Sequence, residues 1–380
     1  MQTRSGKFLA STGAIFVVGA FAAAVLLPGG MGAKAERAPE PEPLVIEKMG
    51  SYMVGGTVIT APGTFDPTKF PTPPDGQTFH GDHAYVQFHI PPNARKLPLV
   101  MWHGCLSTAW ESTPDGREGY QSIFLRRGFA VYVLDQPRGQ RAGRTTVGIT
   151  VTAIPDSEAR FSIFRLGIWP NFFPGSLFPK DPAALDNFFR QGSTPTGPAN
   201  TTVFTDAVAA LFAKIGPAVL ITHSASGFLG WQTAFKSPNV KAIIAYEPSF
   251  VFPEGEVPPS LPVFDGTLVP SGSPVPLSDF LKLTQIPIEV VLGDNIPTTP
   301  SPIRGLDNWR LTLIYARQFV DAVNRHGGDA SLLHLPDIGI YGNTHFAFTD
   351  LNNIQIADLL SKYLHDKGLD KREEKEKVDR

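Results

Sequence analysis

The chain has 380 residues, 42% of them apolar, with 33 basic and 35 acidic side chains and a formal net charge of −2. That size and apolar content suit one large α/β domain or two smaller ones, and the balanced charge, with no dense basic patch, argues against nucleic acid as a partner. The single cysteine, Cys105, excludes an intrachain disulfide and a cysteine-based zinc or iron–sulfur site.

At the N-terminus, Arg4 and Lys7 precede an apolar run from Phe8 to Leu27. Pro28-Gly29-Gly30 then interrupts it, and Ala33-Lys34-Ala35 offers a small-x-small cleavage site. This is the layout of a secretory signal peptide over residues 1–35, which implies export to the periplasm or the medium. The same run, left uncleaved, is nearly long enough to anchor the chain in a membrane. Residues 36–50 are rich in Pro and Glu and read as a flexible leader, and residues 369–380 as a charged, solvated tail.

Residues 51–368 between them alternate short β-branched runs with helical patterns. Strands are predicted over Ala84–Ile90, Leu97–His103, Phe129–Asp135, Ala218–Thr222, Ala242–Glu247, Ile288–Gly293 and Ser331–Leu335. The later ones are mostly apolar runs, as expected of parallel strands buried on both faces. Helices are predicted over Glu118–Arg127, Thr202–Lys214, Gly227–Phe235, Trp309–Arg325 and Asn353–Asp366. The alternation implies an α/β fold, a mostly parallel central sheet flanked by helices. The stretch from about 150 to 197, rich in Phe, Pro and Gly, breaks the pattern. It reads as an insertion over the C-terminal edge of the sheet, where α/β enzymes bind ligands, or as an excursion that packs its own aromatics. On the first reading Trp169, Phe172 and Phe173 line a substrate pocket.

The segment Ala218-Val219-Leu220-Ile221-Thr222-His223-Ser224-Ala225-Ser226-Gly227 runs from an apolar strand through small residues into a helix. A nucleophile elbow needs this arrangement: a serine on a sharp strand-to-helix turn, with small residues two before and two after it. Both glycines of the usual Gly-x-Ser-x-Gly are replaced here, by Thr222 and Ser226. Ser226 as nucleophile would put the bulky Phe228 in the close contact after the turn, so Ser224 is the candidate. An ordinary turn whose serines cap the helix is the simpler reading of the segment alone.

Upstream, Leu99-Val100-Met101-Trp102-His103-Gly104-Cys105 is a strand ending in His-Gly. The oxyanion of an acyl-transfer intermediate is stabilised by two backbone N–H groups, one after the nucleophile and one after the third strand. These are Ala225 and Cys105, with Leu106 the weaker choice. Of the nine histidines, His345 lies in a Gly-rich loop after the last predicted strand, where the general base of this chemistry belongs. His334 falls inside a strand and His365 near the tail. Two acids follow core strands, Glu247 and Asp294, and position alone does not choose between them.

With these residues in hand, the chain resembles the 713-type bacterial esterases, a branch of the α/β-hydrolase superfamily. The resemblance is carried by His103-Gly104-Cys105, by Trp110-Glu111-Ser112-Thr113-Pro114-Asp115-Gly116-Arg117 and by Asp135-Gln136-Pro137-Arg138-Gly139. It continues in Thr222-His223-Ser224-Ala225-Ser226-Gly227, Glu247-Pro248 and Asn343-Thr344-His345. It implies the α/β-hydrolase fold, cleavage of a small-molecule carboxylic ester by a Ser-His-Glu triad without cofactor or metal, and a tendency to form homodimers. It also implies Glu247 as the acid, with Asp294 as the alternative. The family's second cysteine after His-Gly is Leu106 here, so no vicinal disulfide can form. An amidase or lactonase with the same triad, or a non-catalytic binding protein on the same fold, are the competing readings.

Overall fold

Apolar runs become strands buried from both sides. In the computed structural model, which describes residues 42–104 and 106–372, eight strands form one sheet: β1 (Lys48–Val54), β2 (Ala84–Ile90), β3 (Leu99–His103), β4 (Val131–Asp135), β5 (Ala218–His223), β6 (Val240–Tyr246), β7 (Pro287–Leu292) and β8 (Asp329–His334). Their order across the sheet is β1-β2-β4-β3-β5-β6-β7-β8. β1 with β2, and β2 with β4, pair antiparallel. Every pairing from β4 onward is parallel.

Side-chain alternation divides the core in two. On β3, Leu99 and Met101 face one cluster while Val100 and Trp102 face the other, and β5 and β6 alternate in the same way. One face is covered by α5 (Thr201–Ile215), α6 (Ala225–Lys236), α7 (Leu277–Leu283) and α8 (Arg304–Arg325), through Leu211, Trp231, Phe280 and Phe319 among others. The opposite face is covered by α1 (Thr108–Glu111), α2 (Tyr120–Arg126) and α9 (Asn353–Asp366), through Trp110, Phe124 and Leu360. Among the described residues, no helix is long and apolar enough to cross a membrane.

The run from 150 to 197 holds α3 (Ser157–Ile163), a two-residue ribbon pairing Gly167–Ile168 with Asn171–Phe172, and α4 (Pro182–Arg190). Asp181 caps α4 by accepting from the N–H groups of Ala183 and Ala184 at 3.0 Å, with Pro182 in the first turn. Phe161, Phe178 and Phe188 anchor this run to the core.

Two expectations change. β1 begins at Lys48, inside the stretch read as a flexible leader, and Leu44 and Ile46 pack against the core. The strand escapes a hydrophobicity reading because it is an edge strand, exposed along nearly all its length. At the other end, Lys371 and Arg372 are tied back to the domain: Lys96 N–H donates to the Lys371 carbonyl at 2.9 Å, and Arg372 bridges Arg95. The predicted signal segment lies outside the described residues.

Candidate active site

The centre of the site is built where β5 ends. Ser224 follows His223 directly and takes φ 55° and ψ −119°, then the chain enters α6. A positive φ costs a non-glycine residue about 1–3 kcal/mol and persists only where the surroundings impose it. Here they do. The Ser224 N–H donates to the Tyr246 carbonyl of β6 at 2.9 Å, and the Ser224 carbonyl accepts from Gly227 N–H at 2.9 Å. Gly227 permits the turn to pack: a Cβ there would lie 2.7 Å from Pro248 Cα. Ser224 stays half-buried, whereas Ser226 is fully buried. The Ser226 hydroxyl accepts from His223 N–H at 3.0 Å and lies 2.7 Å from the Trp102 carbonyl. Ser226 thus replaces the usual glycine by tying β3 to the elbow, and its hydroxyl is occupied.

The end of β3 meets the elbow closely. A Cβ on Gly104 would sit 3.1 Å from the Ala225 Cβ, so the loop after β3 and the first residue of α6 lie side by side. Cys105 itself lies outside the described residues. Ala225 is exposed at the start of α6 and Leu106 is buried, its N–H donating to His103 Nδ1 at 3.0 Å.

Glu247 sits at the end of β6, also at positive φ (53°), with its N–H bonded to the Val291 carbonyl at 2.9 Å. Its carboxylate is buried and taken from three directions. Oε2 accepts from His345 Nδ1 at 2.9 Å. Oε1 accepts from Gly293 N–H at 2.7 Å and from Arg165 Nη2. Burial alone would raise the carboxyl pKa, but the Arg165 charge and the His345 bond overcome it and hold it down at about 2. An ionised carboxylate can only accept, so His345 carries its proton on Nδ1 and presents Nε2 as a base.

His345 is fully buried, with its ring parallel to that of Phe164 at 5.1 Å and beside those of His223 and Trp309 at 4.4 and 4.8 Å. Its N–H donates to the Phe164 carbonyl at 2.9 Å, and its carbonyl lies 2.8 Å from His223 Nε2. Burial lowers the imidazole pKa, Glu247 raises it, and the nearby Arg165 lowers it again, for a net fall. The Gly-rich loop that carries His345 is pinned by side-chain carboxylates. Asp350 accepts from Thr344 N–H at 2.7 Å and Thr344 Oγ1 at 2.9 Å. Asp294 serves the same loop: its Oδ2 accepts from Gly342 N–H at 2.6 Å, and its own N–H donates to the Asn343 carbonyl at 2.8 Å.

The structure therefore brings Glu247 and His345 into direct contact and gives Asp294 to the backbone of the His345 loop. Among the described residues, no hydrogen bond joins Ser224 to His345. Trp169 is 44% exposed and packs edge-on against Phe161 at 5.4 Å, while Phe172 meets Phe161 at 4.9 Å and Phe178 at 6.0 Å. Phe173 is half-buried, and its N–H donates to the Leu166 carbonyl. A pocket of about 360 Å³ opens elsewhere, against Gly104 and Ala225.

The insertion does reach the site, through residues that sequence reasoning passed over. Arg165 is fully buried, donates through Nε to the Asp294 carbonyl at 2.7 Å and lies 4.5 Å from the Trp309 ring. The available signal was a lone charge inside the apolar run Phe164-Arg165-Leu166, since a buried guanidinium requires an acid to face it.

No family model matches the chain. A protein of Fungal sp. (strain ATCC 74256), described as a probable secreted lipase, is 28% identical over an alignment of 328 positions that covers 76% of this chain and 87% of the relative. A solved structure described as a novel bacterial esterase superposes with a TM-score of 0.66 at 29% identity, covering 87% of this chain and 99% of the other.

Proposed function

We propose that this chain, an α/β-hydrolase that resembles the 713-type bacterial esterases, cleaves carboxylic esters through an acyl-enzyme on Ser224. Both relatives carry ester-hydrolase names, which supports the reaction class. The observation that carries the residue assignment is the buried Glu247–His345 pair at 2.9 Å, beside a serine held at φ 55° on a strand-to-helix turn.

In this reading His345 Nε2 takes the Ser224 proton as Oγ attacks the ester carbonyl carbon. The Ser224–His345 bond that this step requires forms in the substrate complex, since such bonds often tighten only when substrate binds. The backbone N–H groups of Ala225 and Cys105 receive the oxyanion. Losing one such donor typically raises the barrier by about 3 kcal/mol. The imidazolium, stabilised by Glu247, protonates the departing alcohol. Water, deprotonated by the same imidazole, then releases the acid. We place the protein outside the cytoplasm, because one relative is named a secreted lipase and the N-terminal segment has the layout of an export signal.

Labelling with a fluorophosphonate probe and turnover of p-nitrophenyl esters test the assignment. Ser224→Ala is expected to abolish labelling and to lower kcat by about a million-fold. Glu247→Gln is expected to lower kcat by about 10⁴ through the wrong imidazole tautomer. Labelling that persists in Ser224→Ala removes that serine from the mechanism.

A further inference from the structure

The pocket of about 360 Å³ beside the elbow has one wall on α6, from Ala225, Phe228 and Leu229, and another at the start of α5, from Phe204. Gly104 and Gln136 also line it. Pro195, Ala199, Phe204, Phe228 and Leu229 give the lining its apolar surface; Arg138, Asn200 and Thr201 also border it, with Arg138 held by Asp82, and Gln136 Oε1 already accepts from the Trp102 indole N–H at 3.3 Å. The pocket touches the peptide that follows Ser224 and the glycine that precedes Cys105. Ser224 does not itself line the pocket, which meets the site through Ala225 and Gly104.

Which arm of the ester enters is decided by the proton. The alcohol oxygen must face His345 to be protonated as it leaves, and the acyl substituent then points away from the imidazole. His345 is surrounded by Phe164, Trp309, His223 and Phe346, none of which lines this pocket. We propose that the pocket between α5 and α6 is the acyl subsite and that it selects apolar acyl groups of short to medium length. At about 30 Å³ for each water-sized group, it holds on the order of a dozen non-hydrogen atoms. The chain of a long-chain triglyceride exceeds that. The inference rests on Ser224 being the nucleophile, and its tests are separable from that assignment.

With p-nitrophenol as the fixed leaving group and the acyl chain varied, kcat/KM is expected to rise through medium chains and fall at least tenfold beyond about twelve carbons. Phe228→Ala is expected to move the optimum to longer chains and Phe228→Trp to shorter ones, with melting curves showing that both variants fold. A series varied in the alcohol at fixed acetate is expected to keep its profile in both variants. On the wild-type protein, an alkyl fluorophosphonate with a diazirine at the chain end reports the subsite without mutation. Its crosslink is expected within residues 193–204 or 225–236. A wild-type preference for the longest acyl chains overturns the proposal, as does a shift in the alcohol profile in place of the acyl profile, or a crosslink among residues 150–192. Failure of Ser224→Ala to abolish attachment of the phosphonate defeats the nucleophile assignment instead.

Discussion

At the scale of single residues, the unexpected feature is Arg165. Its guanidinium presses on the carboxylate that orients His345, and it lies close enough to disfavour a proton on that ring. On the proposed mechanism the base must be neutral to accept the serine proton, so activity is expected to fall as pH drops through the His345 pKa. Arg165 helps to keep that pKa low. Replacing it with a neutral side chain raises the imidazole pKa, because a cation is removed while Glu247 remains. The acid limb of kcat/KM in Arg165→Gln should therefore lie at higher pH than in wild type, with Arg165→Lys closer to wild type. A limb that stays in place in Arg165→Gln would show that the guanidinium has no electrostatic part in the base. Arg165 was hard to find from sequence because its partner Glu247 is 82 residues away. The serine, histidine and acid could be found because each follows a strand that its own composition reveals.

At the scale of elements, the elbow depends on how tightly α6 meets the turn after β6. Gly227 faces Pro248, and Gly230 faces the Thr222 side chain, where a Cβ would lie 2.8 Å from Cγ2. The helix thus compensates for bulk at Thr222 with glycines further along, which is why the elbow tolerates a threonine where glycine is usual. Gly227→Ala should cost about 1–3 kcal/mol, since the Pro248 backbone cannot retreat, and should lower activity by displacing Ser224. Gly216, by contrast, has a positive φ of 81° but no heavy atom within 4 Å of an added Cβ. Gly216→Ala should therefore destabilise through backbone strain alone and leave kcat/KM near wild type. Urea melts paired with ester kinetics distinguish the two, and equal kinetics in both variants would contradict the argument from packing.

Across the whole molecule, several buried acids lie outside the site, among them Asp82, Asp135, Asp307 and Glu289, and the last has a raised pKa. Glu289 is on β7 under α9, and burial lifts its carboxyl from the ordinary 4.5 to about 8, with Lys367 opposing only in part. The folded state therefore holds this proton over a range where the unfolded chain has released it. Stability falls as pH rises from about 4.5 to 8, by the linkage between bound protons and folding. Glu289→Gln should raise the melting temperature at pH 8 more than at pH 5. Equal changes at the two pH values would mean that the carboxyl ionises freely in the folded protein.

The composition of the chain by itself determined seven of the eight strands of the main sheet and the five helices predicted with them. Each is a contiguous run whose apolar period is local, and local periodicity is readable without knowing what packs against it. It also placed Ser224 and Glu247 at strand ends and His345 in the loop beyond the last strand, the positions where this fold would present its chemistry. Only the tertiary structure decided that β1 completes the sheet, that Asp294 holds a loop and not an imidazole, and that an arginine from the insertion grips the acid. Those outcomes depend on which distant segments meet, and a side chain's spacing along the chain carries no record of its neighbour across it.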